Sequence, residues 1–201
     1  MSKLGRVIEF SLILLGQAAI LNSSPTYAAE GNLTFRDREY GFSFDYPASW
    51  SAQPGLGPNT RVVITAPADQ AEANCNILVR RVPAMANQTQ AELNRGLDGK
   101  EFDYDYWLRD MPKNIRVFDP RKHSLGPQAA RSAVLQASFQ VQGVTLYATQ
   151  LHLITFQPGL FFGFTCGSTG DTAAEATAGF TFWKQTFSRI VLSLKFKEPS
   201  R

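Results

Sequence analysis

Two stretches early in the chain alternate apolar and polar residues with period two. Leu33-Thr34-Phe35-Arg36-Asp37 and Phe42-Ser43-Phe44-Asp45-Tyr46 carry the pattern of half-buried strands. Arg38-Glu39-Tyr40-Gly41 supplies a turn between them, so residues 33–46 read as a β-hairpin. Pro47 has no backbone N–H for a ladder and ends the second strand. The alternation places Phe42, Phe44 and Tyr46 on one face of the sheet. Trp50 follows where it can plug the edge of the core, and Ser49 is placed to cap a short helical turn that carries it. Tyr46, Pro47 and Trp50 therefore read as a structural motif. After the loop PGLGPN (54–59), strands are predicted over Arg61–Ala66 and Cys75–Val82, joined by the polar segment PADQAEAN.

The period then changes. Thr89-Gln90-Ala91-Glu92 has a hydroxyl three residues before a carboxylate, the capping-box spacing, and predicts a helix start. That helix runs through LNRGL, falters at Gly96 and Gly99, and resumes across DYDYWLRDM until Pro112. A strand around Ile115–Phe118 and a polar loop, PRKHSLGPQ, follow. Ala130–Gln140, Val144–Phe156 and Leu160–Cys166 are rich in β-formers, with turns at Gln142-Gly143 and Gln157-Pro158-Gly159, which gives an antiparallel meander. Thr172-Ala173-Ala174-Glu175 is a second capping box. Phe180, Trp183, Phe187, Ile190, Val191 and Leu194 then recur at helical spacing, an apolar stripe that must lie on the sheet. Strands, helix, strands, helix is the order of an α+β domain whose antiparallel β-sheet is covered by helices.

The N-terminus decides the compartment. MSKLGR is basic, SLILLGQAAIL is apolar, and NSSPTYA ends with Thr26 and Ala28 in cleavage spacing, so residues 1–28 read as a signal peptide cut after Ala28. The apolar run is shorter than the ~20 residues that span a bilayer, so no stable membrane insertion is expected after cleavage. Residues 29–201 form the expected single domain, periplasmic or secreted. In such a compartment the two cysteines, Cys75 and Cys166, are expected to form a disulfide, the alternative being two buried free thiols. Closing a loop of roughly 90 residues is worth on the order of 4–5 kcal/mol in the chain-entropy model. Cys75 opens its strand and Cys166 closes its own, so the two meet if those strands are antiparallel neighbours. The net charge of +3 includes an excess of one positive charge in the leader, which leaves no argument for nucleic acid.

Candidate chemistry is sparse. Of the two histidines, His123 falls in the basic loop RKHS and reads as solvated. His152 lies in a long strand, either as a general base at a pocket or as a hydrogen-bonded side chain at the sheet face. No G-x-S-x-G nucleophile elbow is present. Gly167-Ser168-Thr169-Gly170 reads as a turn before the last helix, either a cradle for an anion or a plain loop. The cysteines and histidines lack zinc-site spacing, and Asp103, Asp105 and Asp110 lack the spacing of a calcium loop. No metal and no cofactor are expected. Tyr104, Tyr106 and Trp107 cluster beside two aspartates as a possible binding patch. Against that stands the reading in which Trp107 and one tyrosine anchor the helix to the sheet.

YGFSFDYPASW, the middle helix, the meander ending in FFGFTCGS and the last helix running into FSRIVLSLKF together resemble the PsbP-like fold family. That family includes the extrinsic photosystem II subunit, a eukaryotic Ran-binding factor and bacterial envelope proteins related to DcrB. The resemblance covers most of the chain after the leader and implies an αβα sandwich. It also implies an accessory or binding role rather than an enzymatic one. The chain departs from the family in having no acidic Ran-binding patch, no lipidation cysteine and no chloroplast transit peptide. The resulting reading is an exported, non-catalytic envelope protein that serves as a binding or accessory factor for a protein or small-ligand partner. The alternatives are an exported hydrolase with an unrecognised active site around His152, and an envelope assembly or stress factor.

Overall fold

The computed structural model describes residues 31–99 and 114–197. Strands β1 (Asn32–Asp37) and β2 (Phe42–Pro47) form the expected hairpin, with Asn32 opposite Pro47 and Asp37 opposite Phe42. The short C-terminal strand β10 (Lys195–Phe196) pairs with the other edge of β2 and completes a three-stranded sheet. The larger sheet contains β3 (Ser51–Pro54), β4 (Thr60–Thr65), β5 (Asn74–Arg81), β6 (Arg116–Leu125), β7 (Gln128–Val141), β8 (Val144–Gln157) and β9 (Leu160–Gly170). Its order is β3-β4-β5-β9-β8-β7-β6, and every neighbouring pair is antiparallel. Gln142 and Gly143 both have positive φ, 49° and 84°, as a two-residue hairpin turn between long twisted strands requires.

Helix α1 (Gln90–Asp98) and helix α2 (Ala173–Leu192) both start with complete capping boxes, at Thr89–Glu92 and Thr172–Glu175. Successive side chains of a strand point to opposite faces, and β8 shows the consequence. Leu153 packs with Phe162, Phe164 and the α2 residues Phe180, Trp183 and Phe187. Its neighbour Ile154 packs with Phe156, Phe161 and the α1 residues Leu93 and Leu97. One helix thus covers each face of the antiparallel sheet, and the α+β architecture is the one the element order implies. The small sheet lies beside α2 on the same face, where Phe44 meets Phe164 at 4.8 Å between ring centroids and Phe42 meets Phe162 at 5.9 Å. Gly179 allows the close approach of α2, since a Cβ there would lie 3.0 Å from the Cβ of Ser168.

Cys75 and Cys166 face each other directly in the β5–β9 register, are fully buried and are joined in a disulfide. The small sheet is tied to the large one by Arg61. Its guanidinium meets the Asp37 carboxylate at 2.8 Å and Glu39 at 2.7 Å, and lies over the Tyr40 ring at 4.7 Å.

Three local expectations change. Residues 120–125 of PRKHSLGPQ continue β6, because Lys122 to Leu125 pair with Arg131 to Gln128. Their polarity reflects an edge strand with one side open to water. Pro120 is tolerated because it falls in a bulge, between Phe118 and Arg121. The expected helical turn at Ser49 is instead a tight turn in which Trp50 N–H donates to Pro47 C=O at 3.0 Å, and Ser51 starts β3. Gly167–Gly170 is the end of β9 rather than a loop. The leader, the resumed helix and the Tyr104, Tyr106 and Trp107 patch lie outside the described residues.

Candidate functional site

Helix α2 packs over β9 and β8. Between its outer flank and the β6–β7 end of the sheet runs a trough of about 200 Å³. Strand alternation builds one side. Val134 of β7 is paired with Leu151 of β8, and these half-buried residues make an apolar floor. The i, i+4 row Phe180, Lys184, Ser188 and Leu192 makes the α2 wall, together with Val191. Phe118, paired with Val134 from β6, is 43% exposed beside this floor.

The rim is polar and charged. Arg121 holds Asp119 in a two-point pair, Nε to Oδ1 at 3.0 Å and Nη2 to Oδ2 at 2.8 Å. The Arg121 hydrogen bond and charge, with Lys184 nearby, hold the Asp119 carboxyl below its ordinary range. Asp119 sits in the bulge at φ 50°, a left-handed conformation uncommon outside glycine, although Asp adopts it more readily than most residues. At the far end, His123 Nε2 and Ser132 Oγ are 2.7 Å apart and share a hydrogen bond. Burial, followed by the Arg121 charge, lowers the His123 pKa and so favours the neutral ring. The solvated reading of His123 is thus corrected: strand alternation turns it inward with Arg121 toward α2.

His152 is on the other face. It stands opposite Ala133 and Thr165, near the Phe161 ring over Gly163, and burial pushes its pKa down to about 4. The trough and His152 are therefore separated by the sheet itself, so His152 is not a base for this trough. The anion cradle at Gly167–Gly170 also fails, because the helix N-terminus is already occupied. The Glu175 carboxylate accepts from Asp171 N–H at 3.0 Å and Thr172 N–H at 3.1 Å. Among the described residues no group of three or more His, Cys, Asp or Glu is placed to hold a metal ion.

Sequence reasoning named none of Asp119, Arg121, Ser132 or Lys184 as site residues. The available signals were the period-two series Arg121, His123, Leu125 and the i, i+4 row on the last helix. Neither shows which strand lies beside the helix.

No protein-family model and no curated protein matches the sequence. Solved structures do match. Cyanobacterial PsbP (CyanoP) from Synechocystis sp. PCC 6803 superimposes with a TM-score of 0.55 at 15% identity, over 88% of this chain and 99% of that one. LpqN of Mycobacterium tuberculosis, described as involved in cell envelope biogenesis, gives 0.48 at 13% identity, over 85% of this chain and 92% of that one. PA94 of Pseudomonas aeruginosa gives 0.39 at 16% identity, over 84% and 99%. The sheet order, the helix on each face and the match to the cyanobacterial protein over nearly its whole length together give this chain a PsbP-like fold.

Proposed function

We propose that this chain is an extracytoplasmic, non-catalytic accessory protein that binds its partner in the trough between α2 and the β6–β7 end of the sheet. The observation that carries this reading is the trough itself, with an apolar floor and a rim of opposite charges. The buried disulfide supports an oxidising compartment, in line with the signal peptide read in residues 1–28 and a single domain over residues 29–201. No helix among the described residues is long and apolar enough to cross a membrane. Assembly or stress roles in an envelope are versions of the same binding reading.

The test is a photo-crosslinking residue at Phe118, beside the trough, with a control at Leu33, which is 47% exposed on the small sheet. Adducts of a small molecule or of a protein, read by intact mass, are expected at Phe118 in native envelopes and not at Leu33. Equal labelling at both positions, or none at Phe118, would sink the reading.

The His123–Ser132 hydrogen bond favours a second reading, a hydrolase with Ser132 as nucleophile. Its geometry is incomplete. Ser132 is 3% exposed in mid-strand, where both neighbouring strands pair with it, so backbone N–H groups that could stabilise an oxyanion are tied into the ladder. An esterase activity on p-nitrophenyl butyrate that disappears in both Ser132→Ala and His123→Ala would support this reading over the first.

A further inference from the structure

The size and charge of the trough narrow the class of ligand. At about 200 Å³ it is smaller than the roughly 300–1,000 Å³ typical of pockets for drug-sized molecules. Val134, Leu151, Phe180 and Val191 give it apolar contact area for the body of a ligand, with the Ser188 hydroxyl between them on the α2 wall. Its rim has two cations, Arg121 and Lys184, against the single acid Asp119.

That balance is unequal in availability as well as in number. Asp119 takes two of the five guanidinium N–H groups of Arg121 and leaves three. Lys184 makes no ion pair among the described residues. His123 is bonded to Ser132, and its burial beside Arg121 disfavours its charged form.

We propose that the trough selects a small amphiphilic anion, with a carboxylate-like head between Lys184 and Arg121 and a short apolar body on the Val134–Leu151 floor. The occupant proposed is a free molecule whose short apolar body matches the roughly 200 Å³ of the trough. This inference rests on the trough being the binding surface. Asp119 then acts as an internal competitor: it holds the Arg121 fork in place and repels the incoming head. Removing the Asp119 charge and removing the Lys184 charge should therefore have opposite effects on an anionic ligand.

The experiment uses the purified, disulfide-bonded protein and follows the methyl resonances of Val134, Leu151 and Val191 by NMR. The probes are octanoate, octanol and octylammonium. Octanoate is expected to shift these methyls and to bind at least about threefold tighter than octanol, with octylammonium weakest. Asp119→Asn should raise octanoate affinity about threefold, and Lys184→Gln should lower it by a similar factor. Added salt should weaken octanoate and leave octanol unchanged. Both substitutions fall on the solvent side of the rim, and the far-methyl spectrum reports that the fold is intact.

If octanoate and octanol bind equally and neither substitution matters, anion selection is wrong while the trough remains a binding surface. If no probe moves the trough methyls, the inference also falls. The Phe118 crosslink then decides separately whether the trough binds a macromolecular partner instead.

Discussion

Trp50 and His152 show what single residues contribute to this fold. Trp50 is 3% exposed and stands edge-on to Trp183, with ring centroids 5.1 Å apart, and to Phe187 at 6.2 Å. Trp183 is itself fixed by donating Nε1–H to Ala71 C=O at 2.8 Å. Trp50→Ala is expected to cost about 3–5 kcal/mol, read as a lower urea midpoint at unchanged slope. His152 makes stability depend on pH. Its folded pKa near 4 lies below the ordinary value of 6.5, so the unfolded chain takes up the proton first as the pH falls. The stability from the neutral buried ring is fully present above about pH 6.5, declines below that, and levels off below about pH 4. The difference amounts to about 3 kcal/mol. His123, also lowered by burial, adds in the same direction. Urea unfolding at pH 7.5 and 4.5 checks this, with a smaller loss expected for His152→Gln than for the parent. Equal losses would show that another group carries the effect.

At the scale of elements, the β1–β2 hairpin is docked by its buried Phe42 and Phe44, and one cation, Arg61, ties its turn to the large sheet. The Asp37 side chain is 5% exposed, and its Oδ1 accepts from Glu39 N–H and Tyr40 N–H in the hairpin turn. Arg61→Met leaves that carboxylate without its counter-charge. Because the Arg61 side chain is 29% exposed, water tempers the loss to about 2 kcal/mol, below the ~3–5 kcal/mol of a fully buried pair. Pairing the change with Asp37→Asn should recover part of it in a double-mutant cycle, and strict additivity would argue against direct coupling. The hairpin, both helix starts and the β7–β8–β9 meander were all legible in the sequence, since each rests on alternation or on a hydrogen bond between residues three apart. β6 was not legible over Pro120–Leu125. An edge strand has one unpaired side and a bulge absorbs a proline, so its composition imitates a loop.

Across the whole molecule, the disulfide joins the two halves of the large sheet at its middle. β5 is the inner end of the β3–β4–β5 run and β9 begins the β9–β8–β7–β6 run, so Cys75–Cys166 links chain segments 91 residues apart. Replacing both cysteines by alanine is expected to cost on the order of 4 kcal/mol, measured by urea unfolding against the oxidised parent. A stability equal to the parent's would mean that sheet packing alone holds the halves together. The sequence by itself determined the local grammar: period-two strands, two capping boxes, an apolar helical stripe, a leader-like N-terminus and two cysteines positioned for pairing if their strands met. Only the tertiary structure decided that β5 and β9 are neighbours, that His152 faces away from α2, and that Arg121, His123 and Lys184 border one trough. The physical reason is range. Periodicity and caps act over a few residues along the chain, whereas strand order is set by burying both faces of the sheet at once, through contacts between segments far apart in sequence.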